Sequence, residues 1–195
     1  ISLSKNAEYD LPDGFRGIGS LTTESIKMNI KDLTGNNATV KMNSKFSVYK
    51  LKSTSSKNDN YDNYYSINIT NSTNTMPTKY KVGLGLFNCL DLTGTIQDLT
   101  LSGIVTVNVY TSEATKELVK NFNGAMCAGM LAGKCSNTST TNPTTINNVS
   151  LKDATVSTVS ISGGLIGVLS YQNINSIANL NRISADNLNV TAKRG

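Results

Sequence analysis

Three blocks of six residues share one pattern along this chain, and it is the pattern of a strand that begins at a turn. The blocks cover residues 96–101, 146–151 and 185–190, and each reads apolar, polar, Asp or Asn, apolar, polar, apolar. The last three positions alternate with the period of two that puts every second side chain on the same face of a β-strand. Each block therefore predicts a short strand entered through an Asp or Asn turn. Val40-Lys41-Met42, which follows Gly35-Asn36-Asn37, aligns as a degenerate fourth copy.

A glycine-rich apolar block stands ahead of each of the three copies, at residues 83–87, 129–133 and 163–167. Nearly every residue in these blocks is apolar, which predicts strands buried on both faces, with glycine where two backbones pack closely or bend. The blocks begin 46 and 34 residues apart, and such irregular spacing is typical of a solenoid whose turns carry loops of different length. The chain therefore predicts an all-β fold, a right-handed parallel β-helix (β-solenoid) with long inserted loops. A β-sandwich remains the alternative, because glycine-rich strands and polar loops also recur in that architecture.

Gly164-Leu165-Ile166-Gly167 resembles the GLUG motif of repeat regions in bacterial secreted and surface proteins, which is a glycine, a leucine, a hydrophobic residue and a glycine. Met130-Leu131-Ala132-Gly133 is a degenerate copy of it. The run Leu-Pro-Asp-Gly-Phe-Arg-Gly-Ile-Gly at residues 11–19 is similar to the opening of such regions in large surface proteins of Gram-positive gut bacteria. The resemblance covers residues 83–190, and residues 1–82 only through that opening run. It implies a β-helical module of an adhesin-like protein on the bacterial cell surface or secreted from the cell.

We expect residues 1–195 to be a single module excised from a larger surface protein. The sequence begins at Ile1 without an initiator Met, shows no charged and then apolar leader, and ends at Lys193-Arg194-Gly195. No apolar stretch approaches the roughly 20 residues that a membrane helix needs, so no membrane insertion is expected. Residues 53–80 are rich in Ser, Asn, Asp, Thr and Tyr, which predicts a polar inserted loop or a projecting hairpin.

The composition excludes most of the familiar catalytic mechanisms. The chain has 25 asparagines but no tryptophan and no histidine, which excludes Ser/His/Asp and Cys/His triads, His-ligated zinc or haem, and an imidazole acid or base. We therefore expect no enzyme, no cofactor and no metal. Carboxylates are the remaining acid and base groups, so a carbohydrate-active β-helix that uses Asp91, Asp98 or Asp153 stays an alternative. Asp98 shares its repeat position with Asn148 and Asn187, which favours a structural turn ladder at that position.

The cysteines at positions 89, 127 and 135 are odd in number, so they cannot all pair within the chain. When the glycine blocks are aligned, Cys89 and Cys135 each stand six residues after the first glycine. Equivalent positions in neighbouring turns of a solenoid lie about 4.8 Å apart, a separation that a disulfide tolerates. A Cys89–Cys135 disulfide is therefore one interpretation, and two buried thiols stacked in the core are the other.

A basic stretch and a tyrosine cluster are the candidate ligand-binding features. Between residues 27 and 57, seven lysines are offset only by Asp32, which predicts either a basic surface for an acidic partner or lysines that protect an exposed strand from aggregation. The three tyrosines of residues 61–65 stand among Asn and Ser, as in adaptable recognition surfaces, although rings that cover a sheet face would give the same pattern. The predicted ligand contacts are Tyr61, Tyr64, Tyr65, Lys50 and Lys52.

Together these features predict a non-catalytic binding module that contacts a host macromolecule. A host extracellular protein is favoured over a glycan. Glycan sites usually offer an aromatic platform and acidic groups, and this chain has no tryptophan. An immunoglobulin or a matrix protein would be a typical target by analogy of fold. Nucleic acid is not expected, since arginine is scarce and no recognition motif occurs. The alternatives are a carbohydrate-binding or carbohydrate-active β-helix and a structural spacer, and we expect the module to be monomeric.

Overall fold

The computed structural model describes residues 1–19, 28–50, 65–69, 72–76, 82–110, 126–139, 141–159, 161–171 and 177–192. In these ranges the regular structure is entirely β-strand, which confirms the all-β prediction. The strands are β1 (Glu8–Asp10), β2 (Met28–Lys50), β3 (Tyr65–Ile69), β4 (Ser72–Met76), β5 (Val82–Leu84), β6 (Phe87–Tyr110), β7 (Met126–Ala128), β8 (Ala132–Asn137), β9 (Thr144–Thr158), β10 (Ile161–Ser162), β11 (Ile166–Tyr171) and β12 (Ala178–Ala192). The described part of the chain contains no apolar helix of the length needed to cross a membrane.

The described strands form a nine-stranded sheet and a three-stranded sheet, and most of their pairings are parallel. Successive passes of the chain pair edge to edge, β1 with β2, β2 with β6, β6 with β9 and β9 with β12. We name these passes layers 1 to 5, which comprise the described residues within 1–17, 18–50, 82–110, 126–159 and 161–192. The smaller sheet consists of β5, β7 and β10, the opening strands of layers 3, 4 and 5. An antiparallel hairpin, β3 and β4, lies within the 53–80 segment and pairs with the end of β2.

Residues with positive φ, most of them polar, turn the chain at two places in these layers. The first place is held by Asp98, Asn148 and Arg182, with φ of 52–55°, and the second by Gly103, Asp153 and Asn187. Asp and Asn adopt this left-handed conformation more readily than other residues with a side chain, because their short polar groups bond locally. Asn148 Nδ2 donates to Asp98 Oδ1 at 2.7 Å, and Asn187 Nδ2 donates to Asp153 Oδ1 at 2.8 Å. At each of the two turns, one such hydrogen bond therefore links two neighbouring layers.

The strand register confirms two of the three repeat blocks as equivalent and corrects the third. Ile96 pairs with Ile146 and Leu101 pairs with Leu151. Leu151, however, pairs with Ala185, so the equivalent copy in layer 5 is residues 180–185 and not residues 185–190. The prediction for Asn187 was wrong for the same reason, since Asn187 belongs to the second turn. Val40 pairs with Leu101, so the fourth copy is present but two residues out of the predicted register.

Glycines bring the two sheets into backbone contact, as the sequence predicts. A Cβ atom on Gly133 would fall on the backbone of Gly83 and Leu84. The 34-residue offset of the last two glycine blocks is confirmed, because Ala132 pairs with Ile166. The 46-residue offset of the first two blocks is wrong, because the pairing of Gly83 with Cys127 gives an offset of 44 residues.

One apolar core runs through layers 2 to 4, and layer 1 covers its end. Leu3, Tyr9, Leu11 and Phe15 pack against this core as partly buried side chains. The buried Asn88 ties down the segment that follows them, since its Nδ2 donates to the carbonyl oxygens of Arg16 at 2.7 Å and Gly19 at 3.1 Å. The N-terminal end of the core is therefore closed by the chain itself.

Candidate binding site along strand β2

Strand β2 pairs with β6 along one edge, and its other edge is covered by layer 1 between residues 34 and 43 and by β3 near its end. β1 pairs with residues 39–41, and β3 pairs with residues 47–50. Next to β1, the Leu11 amide donates to the Lys41 carbonyl at 2.9 Å, and the Gly14 amide donates to the Asn43 carbonyl at 3.2 Å. Residues 44–46 of β2 therefore lie between two flanking segments that are distant in sequence.

A groove of about 460 Å³ opens at this place. Two carboxylates, two lysines and an amide line it, and Met42, which is buried, forms part of its floor. The polar lining residues are Asp10, Asp13, Lys41, Asn43 and Lys45. Because both signs of charge and an amide meet in one concave surface, the groove can bind a polar ligand with donors and acceptors.

The charged groups of the groove are held loosely. Lys41 Nζ lies 3.8 Å from Asp10 Oδ1, and both side chains are mostly exposed. An exposed pair of this kind contributes at most about 1 kcal/mol to stability, because water and salt screen it. A ligand can therefore take over either partner at little cost. Lys45 stands four residues along the same strand, about 13 Å away on the same face.

Asn43 carries the least satisfied polar group of the groove. Its Nδ2 donates to a carboxylate oxygen of Asp13, which fixes the orientation of the amide. Its Oδ1 is buried and has no hydrogen-bond partner among the described residues. A buried acceptor without a partner costs about 1–3 kcal/mol, so a donor that reached this oxygen would gain more than in an ordinary surface contact.

Two of the five predicted ligand contacts meet in the structure. The backbone pairs Lys50 directly with Tyr65 across β2 and β3, close to the groove along the same strand. Tyr61, Tyr64 and Lys52 lie outside the described residues. The hairpin of β3 and β4 thus pairs with the end of β2 through residues 65–68.

The three carboxylates considered for catalysis are held by separate structural contacts. Asp91 is 5% exposed and accepts hydrogen bonds from the Thr138 amide at 3.0 Å and the Thr138 hydroxyl at 2.5 Å. Asp98 and Asp153 stand at different turns, and each accepts a hydrogen bond from an asparagine of the next layer. The strand register therefore places these three carboxylates at three different positions of the fold, each with its own hydrogen-bond partner.

The strand register separates Cys89 from Cys135. Cys89 pairs with Lys134, whereas Cys135 pairs with Leu90, and the two cysteines are not bonded to each other. The Cys89 sulfur lies beside Gly83, while Cys135 belongs to the main core. Burial, and secondarily the charge of Asp91, raises the pKa of Cys135 to about 12. The ionised, reactive form of this thiol is therefore scarce at neutral pH.

Sequence reasoning missed Asp10, Asp13 and Asn43 as members of a site. They come together only through the parallel pairing of layer 1 with layer 2, roughly thirty residues apart, and no local pattern encodes that pairing. Among the residues that the structure describes, no group of three or more Cys, Asp or Glu side chains could hold a metal ion. Comparison of the chain with family models, with curated proteins and with solved structures found no match.

Proposed function

We propose that this chain is a non-catalytic binding module of a bacterial surface or secreted protein and that it contacts a host macromolecule through the edge of β2. The observation that carries the proposal is the juxtaposition on one strand of the charged groove at residues 41–45 and the paired Lys50 and Tyr65. The groove contributes polar and basic groups of β2, and the sequence places tyrosines at positions 61, 64 and 65, a composition typical of protein recognition.

The scaffold of this proposal is a right-handed parallel β-helix. Five layers with parallel neighbours, turns at equivalent positions and inward apolar side chains support it. A right-handed path is the usual one for parallel strands joined by crossovers. Such a scaffold holds the groove rigidly, because Met42 and Ser44 of β2 are buried in it.

A host extracellular protein is the favoured partner, with an immunoglobulin or a matrix protein as the type of target. Lys41 and Lys45 are exposed on the same face of β2, and they would attract an acidic patch on such a partner and accelerate its association. The resemblance of Gly164-Leu165-Ile166-Gly167 to the GLUG motif supports placement at the cell surface.

The test is capture of partners from human serum and mucosal secretions on the immobilised chain. The groove variant is the double charge reversal Lys41→Glu/Lys45→Glu, and a Tyr61/Tyr64/Tyr65 triple-alanine variant tests the hairpin. The matched control is Lys31→Glu, an exposed lysine of the same strand that lies beyond the turn at Asn36.

We expect the parent and the control to retain one partner, and the groove variant to bind it about tenfold more weakly, which corresponds to 1.4 kcal/mol. Binding should also weaken as salt is added. A parent that captures nothing would refute the binding function. A partner that binds all variants equally would refute this location for the site.

A glycan is the second candidate ligand, because Asp10, Asp13 and Asn43 line the groove and are groups that hydrogen-bond sugar hydroxyls. Against it, none of the described lining residues carries an aromatic ring on which a sugar could stack. A glycan array decides between the two ligands. Retention of a sugar by the parent and its loss in Asp13→Asn would favour the glycan over the protein partner.

A further inference from the structure

The groove along β2 contains a carboxylate and an ammonium that are not paired with each other. Lys41 Nζ already lies 3.8 Å from Asp10 Oδ1. The carboxylate of Asp13 instead accepts a hydrogen bond from the neutral amide of Asn43, and the Lys45 side chain is exposed. All of these residues line the same groove. Asp13 and Lys45 are therefore the two charges that a ligand can engage without separating Lys41 from Asp10.

The strand geometry sets the spacing of these two charges. Asn43, which bonds to Asp13, and Lys45 are two residues apart on β2. Both side chains therefore point to the same face of the strand, from Cα atoms that are about 7 Å apart. The ammonium and the carboxylate of a free α-amino acid, in contrast, are bonded to one carbon atom. The groove therefore suits a ligand whose own two charges are several ångströms apart.

An extended polypeptide has the required spacing. Side chains two positions apart in a strand lie on one face, again about 7 Å apart, whereas adjacent side chains point to opposite faces. A basic side chain at one of two such positions can contact Asp13, while an acidic side chain at the other contacts Lys45. Because a strand can lie along the groove in either direction, the basic residue can precede or follow the acidic one.

The remaining lining residues suit the backbone and the uncharged side chains of such a segment. Leu11 and Ile104 are half-buried and give the groove apolar surface. A Cβ atom on Gly103 would fall on the carbonyl oxygen of Met42, so no side chain at this position narrows the groove. A volume of about 460 Å³ lies within the ordinary range for ligand sites.

We propose that the groove recognises an extended segment of its protein partner that carries one basic and one acidic side chain two positions apart. The basic side chain bonds to Asp13 and the acidic side chain bonds to Lys45. This inference rests on the proposed function, since it specifies which part of the host protein the groove contacts. An acidic patch alone would engage the lysines and be repelled by Asp13, so a segment with both charges binds with greater selectivity.

The test is a titration of the isotope-labelled intact chain with synthetic peptides, followed by the chemical shifts of its amides. The probe is the end-blocked peptide Thr-Arg-Thr-Glu-Thr, in which threonine favours an extended backbone. The comparison peptide, Thr-Arg-Glu-Thr-Thr, has the same composition but places the two charges on opposite faces. A third peptide, Thr-Glu-Thr-Glu-Thr, carries two acidic side chains on one face.

We expect the parent to bind the probe about fivefold more tightly than the comparison peptide, which can engage only one of the two charges at a time. Asp13→Lys makes both charges of the groove basic and should reverse the preference, so that the diacidic peptide binds more tightly than the probe. The matched control is Glu8→Lys, the same change at an exposed carboxylate of layer 1 that does not line the groove. This control should keep the preference of the parent.

Circular dichroism and unfolding midpoints of both variants separate a change of preference from a loss of fold. A parent that binds neither peptide, or binds the probe and the comparison peptide equally, would refute this inference, and so would an unchanged preference in Asp13→Lys. If the parent still captures a serum partner in that case, the proposed function stands without it. The reverse result, a clear peptide preference without any captured partner, would refute the host-binding function and leave the charge selectivity of the groove.

Discussion

At the residue scale, Gly133 shows why glycine is required where the two sheets meet. A Cβ at this position would collide with backbone atoms of Gly83 and Leu84, which no side-chain rotation can relieve. We expect Gly133→Ala to lower the free energy of unfolding by at least the 1–3 kcal/mol that is typical of overpacking, measured by chemical denaturation.

Gly14→Ala is the control for this glycine, since a Cβ at Gly14 would meet nothing within 4 Å. Its φ of 75° still makes alanine unfavourable there, by about 1–2 kcal/mol. A loss at position 133 no larger than the loss at position 14 would contradict a backbone collision at the sheet interface.

The buried Cys135 thiol should make the free energy of unfolding depend on pH, and burial sets the direction of the change. Its pKa rises from 9.0 to about 12 in the folded chain, so below pH 9 both states carry the neutral thiol and stability is unaffected. Between pH 9 and 12 only the unfolded chain ionises, and stability should fall by up to about 1.4 kcal/mol per pH unit. Urea denaturation across this range should show a shallower fall for Cys135→Ala, whereas parallel curves would contradict the assignment.

At the scale of elements, the turns of the long strands depend on asparagine for both conformation and contact. Asn148 has a φ of 52° and donates to Asp98. Asn148→Gly keeps the turn and loses the hydrogen bond, which should cost about 1 kcal/mol. Asn148→Val also places a β-branched residue at positive φ and should cost about 2–3 kcal/mol. Thermal unfolding of the two variants measures this difference, and equal midpoints would show that the turn does not need the left-handed conformation.

These turns also explain how far the sequence predicts the elements. The period-two alternation at Leu99–Leu101 and Val149–Leu151 correctly predicts two strands and their register, because inward and outward residues alternate there without interruption. The third copy is misplaced because layer 5 turns first at Arg182 and again at Asn187, so Ala185-Asp186-Asn187 resembles the first turn of the other layers while it forms the second turn of its own. The predicted equivalence of Gly83 and Gly129 is also wrong, because Gly83 pairs with Cys127 and Phe87 pairs with Ala132, offsets of 44 and 45 residues.

The binding groove lies beyond sequence prediction for a physical reason. Asp13 and Asn43 belong to different layers, and only the pairing of β1 with β2 brings them into contact. The lysine-rich segment predicts that β2 has a basic face. The carboxylates that offset this charge, Asp10 and Asp13, come from a segment that no sequence pattern connects to β2. Long-range pairing of this kind depends on the whole fold and not on a local pattern.

At the scale of the whole molecule, the two ends of the stack should differ in local stability. Leu99, Leu101 and Val105 of layer 3 have neighbouring layers on both sides and are almost fully buried, whereas Leu180 and Val190 of layer 5 pair with a layer on one side only among the described residues. In a stacked architecture, the stability of each layer includes its contacts with both neighbours. Opening the last layer therefore breaks one interface, and opening layer 3 breaks two.

Amide hydrogen exchange of the chain should reveal this gradient. Amides of β6 at residues 99–105 should exchange slowest, at rates set by global unfolding, and those of β12 should exchange faster through local opening of layer 5. Residues 8–10 serve as the internal comparison, because β1 is a terminal strand that covers the core at the closed end. Equal protection of β12 and β6 would contradict the expectation that contacts with layers on both sides stabilise layer 3.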